Sequence, residues 1–312
     1  MPREGSPWRG LGTVILKELS DHLTSARMRV LEWLVVLTAL AALYGAIQSV
    51  RDTTAQDPFL FLRLFTTAHQ PLPSFVAFLS FLVPLMAIGL GFDAVNGEHS
   101  RRTLSRILSQ PIYRDALLFG KFIAALATLA ISLICLWLLV IGLGLFLLGV
   151  PPGGEEMLRS LVFLGVTIVY AGVWLALAML FSTVFRSAAT AALVSLGVWL
   201  FLTIIWPPLA QGIAQALFAH SDEATMLIGG QVLARLSPST LFGEVVLAIL
   251  HPATRSLGPV YLDQLQGAVM GAPLPFGESL LLAWPQIVGM IAAAILLFVA
   301  GYVAFQRQEV RA

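Results

Sequence analysis

The sequence predicts an all-α, polytopic membrane protein with six transmembrane helices. Three observations carry that prediction. Of 312 residues, 58% are hydrophobic and 11% charged, with a mean hydropathy of +0.88; a soluble domain has about a quarter of its residues charged. Six stretches of at least 20 residues are almost free of charge: 31–50, 73–92, 122–150, 161–185, 187–206 and 280–305. About 20 apolar residues, rising ~1.5 Å each, cross the ~30 Å hydrocarbon core. The 18 Lys and Arg then divide unevenly between the two sides. Residues 1–29, the 93–121 loop, Arg186, Arg307 and Arg311 share one side, leaving only Arg51, Arg63, Arg159, Arg235 and Arg255 on the other. The side richer in Lys and Arg faces the cytoplasm, so both termini are expected there. An odd number of spans would put Arg307 and Arg311 outside. A net charge of +1 gives no reason to expect nucleic acid.

Taken in order, residues 1–29 place Trp8, Leu11, Ile15, Leu19 and Leu23 at helical spacing, with Arg9, Lys17, Glu18 and Asp21 on other faces. Such a helix lies in the membrane interface, against lipid, or packs on another part of the protein. No apolar core with a small-residue cleavage site precedes residue 30, so the first span is expected to be an uncleaved anchor. That span, 31–50, holds one charge, Glu32, at its edge. Residues 51–72 form a polar connection to the second span, 73–92. The third run, 122–150, is longer than one perpendicular crossing needs, so it tilts or continues a helix out of the bilayer. Pro151, Pro152, Gly153 and Gly154 end it, and Glu155 and Glu156 are expected to face water. Arg186 alone separates spans 161–185 and 187–206, which demands an antiparallel hairpin. Trp206, Pro207 and Pro208 mark the far interface. Residues 207–279 are external. Their apolar pieces 209–219, 225–236 and 240–250 are too short to cross, and read as helices that re-enter or lie on the outer leaflet. Two extra spans there would require a buried Glu244. Residues 280–305 form the last span.

The loop 93–121 stands out. It holds Arg101, Arg102, Arg106, Arg114 and Lys121. Leu104, Ile107 and Leu108 fall at i, i+3 and i+4, one apolar stripe on a short helix. Asn96 or Ser100 can cap its start, and Pro111 stops it near Ser109. A polar helix with one apolar edge under a membrane suits capture by another protein; the plainer reading tucks it against headgroups.

Several chemistries are excluded. No G-x-x-x-x-G-K-[ST] occurs, and Gly120-Lys121 has Asp115 where the first glycine is needed, so nucleotide phosphates are not cradled by that loop. His22, His69, His99, His220 and His251 are scattered, which disfavours a metal site. Glu155-Glu156 with Arg159 is similar to the pattern of membrane CAAX proteases, but the spacing is short by one. No span carries an ionisable residue in its middle, which argues against proton- or sodium-coupled carriage; energy for transport must come from elsewhere. Cys135, the lone cysteine, reads as packing. Gly172 with Ala176, and Ser187, Ala191 and Ser195, let helices approach closely, within the chain or between copies.

Glu98, Thr103-Leu104, Ile107-Leu108-Ser109-Gln110-Pro111, Arg114 and Gly120-Lys121-Phe122 together resemble the cytoplasmic loop of type 2 ABC exporter permeases. Among these the chain is similar to the permease of the nitrous-oxide reductase maturation system and its relatives. Lys17-Glu18-Leu19 before the first span resembles the family too, as does Arg235-Leu236-Ser237-Pro238 with Glu244 and Pro252 before the last. Arg102 stands where the family commonly has glycine. The resemblance implies a six-span permease whose coupling helix docks on a separate ABC ATPase subunit. Leu104, Ile107 and Leu108 would fill a groove there, with Glu98, Arg101, Arg102 and Arg106 at its rim. It implies two permease copies, as a homodimer or related heterodimer, in a prokaryotic plasma membrane. No cofactor is expected in this chain, since ATP and Mg belong to the ATPase. The alternative is a non-transporting scaffold that anchors a partner.

Overall fold

The structure is a computed structural model that describes residues 10–51, 59–68, 73–100, 114–149, 151–257 and 273–307. Every regular element among them is helical. In order these are α1 (Leu11–Thr24), α2 (Ala26–Arg51), α3 (Arg63–Thr66), α4 (Phe75–Gly91), α5 (Asn96–Ser100), α6 (Arg114–Leu148), α7 (Gly154–Val184), α8 (Ala188–Leu200), α9 (Trp206–Leu217), α10 (Glu223–Ala234), α11 (Pro238–Leu250) and α12 (Phe276–Arg307). Among the described residues six helices are long and apolar enough to cross a membrane: α2, α4, α6, α7, the continuous α8–α9 and α12.

The bundle is built around α7. From Tyr170 to Met179 every residue of α7 is buried, and a helix apolar all round belongs in a core. α4, α6, α8, α11 and α12 pack against it. Gly91 lets α4 close on α7, since a Cβ there would stand 2.8 Å from Ala178 Cβ. The Tyr170 ring stacks on Phe242 of α11 at 4.4 Å. Its hydroxyl donates to the Ser80 carbonyl (3.0 Å) and shares a bond with Ser239 Oγ (2.9 Å). Of the small residues named above, Gly172 and Ala176 are buried on α7 and α8 turns Ala191 and Ser195 inward with Trp199, while Ser187 is exposed and caps α8 by accepting the Thr190 N–H.

The fifth span runs past the point expected. The sequence places its end at Trp206-Pro207-Pro208, yet the helix continues to Leu217. Pro207 and Pro208 have no N–H to give the preceding turn. The ladder adapts with a π turn over Phe201–Ile205, in which the Trp206 N–H reaches the Phe201 carbonyl, a known way to absorb such a defect. Beyond it, α10 and α11 meet at 111°. Pro238 opens α11 and holds Ser237 extended, at φ −79 and ψ 123, as a pre-proline residue prefers. Glu244 does turn inward, its side chain 11% exposed, although α10 and α11 are a bent pair. Arg235 pairs with it at 2.9 Å, and Gln231 and Gln286 donate to it.

The end of α7 that carries Glu155, Glu156 and Arg159 also differs from expectation. These residues are helical, and only Glu155 stays open to water; Glu156 is 7% exposed and Arg159 fully buried. Glu156 caps the helix by accepting the Gly153 N–H at 2.7 Å and holds the segment before α3 by accepting the Phe61 N–H at 2.8 Å. A carboxylate in a helix's first turn also suits its dipole. Arg159 uses all three of its nitrogens. Nε and Nη2 donate to Glu155 (2.9 and 2.7 Å), Nη1 to the Ile249 carbonyl and Ser279 Oγ (2.9 and 3.1 Å), and Nη2 to the Leu274 carbonyl (2.6 Å). One guanidinium thus gathers the end of α11, the start of α12 and the chain between them. Stripping a buried charge network of one member costs about 3–5 kcal/mol. Arg159→Met is therefore expected to lower the melting temperature of the purified chain in detergent sharply. Arg159→Lys should recover only part of it, because an ammonium offers three donors against five.

Candidate functional site

Both described chain ends lie at the opposite end of the bundle from Arg159. There α1 packs on α6, and Tyr302 and Gln306 of α12 donate to Asp115 of α6. This terminal face also receives the two ends of the 93–121 loop. Of the loop's expected coupling residues, Arg101, Arg102, Thr103, Leu104, Arg106, Ile107, Leu108 and Pro111 lie outside the described residues, as does Trp8. Glu98 sits in α5, and Arg114 is the first residue of α6.

The structure brings three elements together at Lys121. Its ammonium, on a residue 6% exposed, lies 2.8 Å from Glu98 of α5 and 3.1 Å from Glu18 of α1. Glu18 also meets Lys17 at 2.8 Å, and Lys17 reaches Asp21 at 3.0 Å. A buried ammonium between two carboxylates is compensated; removing either acid strands charge. Beside it, Arg27 at the base of α2 pairs with Asp93 at 3.0 Å and lies over the Phe92 ring. The turn from α4 into α5 is pinned from α7: the N–H groups of Val95 and Asn96 donate to Ser182 Oγ at 3.0 and 3.3 Å.

Local sequence explains the fit of α1. Gly120 leaves a notch on α6 that Val14 enters; a Cβ there would stand 2.6 Å from Val14 Cγ1. Val14 and Glu18, four apart, are the innermost residues of α1. The expected stripe is rotated from that axis: Leu11, Ile15 and Leu19 are half-buried and Leu23 is exposed. The helix therefore has a protein-facing line that includes a carboxylate, which an apolar-stripe reading passes over. The chain's two lysines, Lys17 and Lys121, both engage Glu18; the Lys121 pairing spans 103 positions, and no local pattern displays it.

Charge and burial set the titration of this cluster. Burial favours the neutral acid at Glu18, but Lys121 and Lys17 outweigh it and hold the carboxyl below its ordinary value. Burial likewise opposes the charge of Lys17, and the bonds to Glu18 and Asp21 overcome it, raising the ammonium. At His22 burial prevails and lowers the imidazole.

Charge also enters the spans. α2 begins at Ala26, so Glu32 lies beyond its first turn rather than at its edge, and Ser132 Oγ of α6 donates to it at 2.9 Å. Glu32 and Arg159 both lie in the first two turns of their helices, not at the middle of a span.

A polytopic helical bundle with candidate membrane spans and a charged hub joining an N-terminal helix, the stub of a loop and the base of a long span defines a multi-pass membrane protein. Residues 13–310 match the family described as ABC-2 family transporter protein, and the chain belongs to that family. It is similar to a protein of Pseudomonas aeruginosa named "Probable ABC transporter permease protein NosY", 28% identical over 200 residues, covering 62% of this chain and 67% of that one. A protein of the same name from Stutzerimonas stutzeri is 26% identical over 286 residues, covering 89% and 95%.

Two outcomes test the hub. Gly120→Leu should drive α1 off α6, raising amide hydrogen exchange across 11–24, and Val14→Ala should restore protection in the double variant. Exchange of the same amides, corrected for intrinsic rate, should depend on pH. Undocked, His22 titrates near its ordinary 6.5, and docked it lies lower. Docking is then at full strength above about pH 7 and weakens as pH falls through 6.5. His22→Gln should flatten that limb. Glu18, held low, adds its own loss only below its ordinary 4.5.

Proposed function

We propose that this chain is the membrane-spanning permease subunit of an ATP-binding-cassette exporter, working with a separate ATPase subunit and a second permease copy. In this reading it sits in a prokaryotic plasma membrane with both termini in the cytoplasm, which makes the terminal face the inner one. ATP and Mg stay on the ATPase. Family membership and the relatives' printed names support the class; the export direction follows the resemblance of the 93–121 loop.

The observation that carries the mechanism is the Glu98–Lys121–Glu18 cluster. Residues 101–113 leave from α5 and return into α6. Glu98 closes one end against Lys121, seven residues into the 35-residue α6. A push on the segment therefore meets the base of a span and α1 together. Leu104, Ile107 and Leu108 are assigned to a groove on the ATPase, with Arg101, Arg102 and Arg106 at its rim. Glu98 takes another part from the rim position expected: its side chain, 14% exposed, faces Lys121 and passes motion inward. Closure of the ATPase pair would then shift α1 and α6 as one body and rock the two permeases.

The two roles separate by mutation. Leu104→Asp with Ile107→Asp should abolish co-purification of the ATPase and ATP-driven transport; a scaffold bound only to lipid would keep its partner. Lys121→Met should keep the ATPase bound but cut transport per ATP hydrolysed by about tenfold or more, the worth of a charge-assisted contact of 1.5–3 kcal/mol. Unchanged coupling in that variant would remove the hub from the mechanism.

A further inference from the structure

A second polar feature lies deeper, away from the hub. α2, α4 and α6 leave between them a half-open cleft of about 250 Å³. Val35, Met86, Cys135 and Leu136 make its walls apolar, and Glu32 and Ser132 are its polar groups used here. Glu32 lies five residues along α2 from Arg27, and Ser132 eleven residues along α6 from Lys121. Glu32 is thus about 8 Å of helix beyond Arg27, inside the candidate span Ala26–Ser49, and Ser132, bonded to it, lies at the same depth. Arg27 is engaged with Asp93, and among the described residues no Lys or Arg lies within ion-pair distance of Glu32. Its described partner is a serine hydroxyl.

An intramembrane carboxylate is costly and marks function by default. This one is turned into a cleft instead of against a cation. Its surroundings supply apolar contact, one hydrogen-bond donor and one negative charge, and they lack a positive one. We infer that the cleft is a binding site for a single-chain cationic amphiphile, a quaternary or primary ammonium on an alkyl tail, entering sideways from the terminal-side leaflet. The ammonium meets Glu32, which Ser132 orients, and the tail lies along Val35 and Leu136. The half-open form suits such a ligand, because a tail longer than the cleft continues into lipid. The inference depends on α2 and α6 lying in a membrane and not on coupling to an ATPase. It goes beyond the permease reading by giving a ligand class.

The test uses the full chain in uncharged alkyl maltoside micelles with tritiated dodecyltrimethylammonium as the probe. Saturable binding is expected, displaced by unlabelled dodecyltrimethylammonium and not by dodecanol or dodecyl phosphate at equal concentration. Glu32→Gln, nearly isosteric, should weaken binding about tenfold or more, the loss of one charge-assisted contact. Val36→Trp, which fills the cleft without altering charge, should weaken it as much. Melting curves establish that each variant is folded. Absence of saturable binding overturns the inference, as does equal displacement by dodecanol, or equal affinity in a folded Glu32→Gln protein. If neither variant folds, the charge preference of the wild-type chain decides alone. Transport plays no part in the readout, so failure here leaves the permease proposal intact, and failure of coupling leaves the site intact.

Discussion

An ammonium shielded from water has few ways to exist, and the terminal face is arranged around one of them. Lys121 stays charged there because Glu98 and Glu18 meet it from two sides. The three residues come from α1, α5 and α6, separated by as many as about a hundred positions in the chain. None can leave without abandoning an uncompensated charge, and that cost is what makes such a group cohere. Gly120 and Val14 add a steric lock one residue from the ion pair. The interlock explains why an N-terminal helix of only 14 residues is docked rather than trailing.

The opposite face solves a related problem by other means. Arg159 meets the Ile249 carbonyl in the last turn of α11, a group with no partner inside its own helix, and the Leu274 carbonyl in the chain before α12. Its planar fork satisfies these two carbonyls and one serine while holding Glu155. A lysine point charge would not span them. Leu274, just before α12, and the end of α11 therefore share a fixed anchor. Both faces thus use buried charge to order segments that lack a core of their own.

α7 joins the two. Arg159 stands near one end and Ser182, which holds the start of α5, near the other. Twenty-three residues separate them, about 35 Å of helix. Between these points the stretch Tyr170–Met179 is buried on all sides, so its packing leaves little room for bending. The start of α5 and the end of α11 are consequently both tied to one helix. Glu32 stands apart from this axis, beside the cleft that α2, α4 and α6 line.

Much of this was legible in the chain. Charge-poor runs long enough for a bilayer, with Lys and Arg gathered between alternate ones, set the number of spans, because hydrocarbon admits no unpaired backbone. The apolar pieces 225–236 and 240–250 likewise announced the two short helices α10 and α11. Only the folded chain decided which charges are inside. Glu18, Glu32, Glu156 and Arg159 read as polar punctuation at helix edges, since a sequence shows what a residue must avoid and not the partner that lets it be buried. Lys121, Ser132 and the carbonyls of Ile249 and Leu274 are those partners, each far away in the chain. The continuation of the fifth span through two prolines was equally hidden: a π turn borrows its hydrogen bond from one residue further back, a remedy that composition does not display.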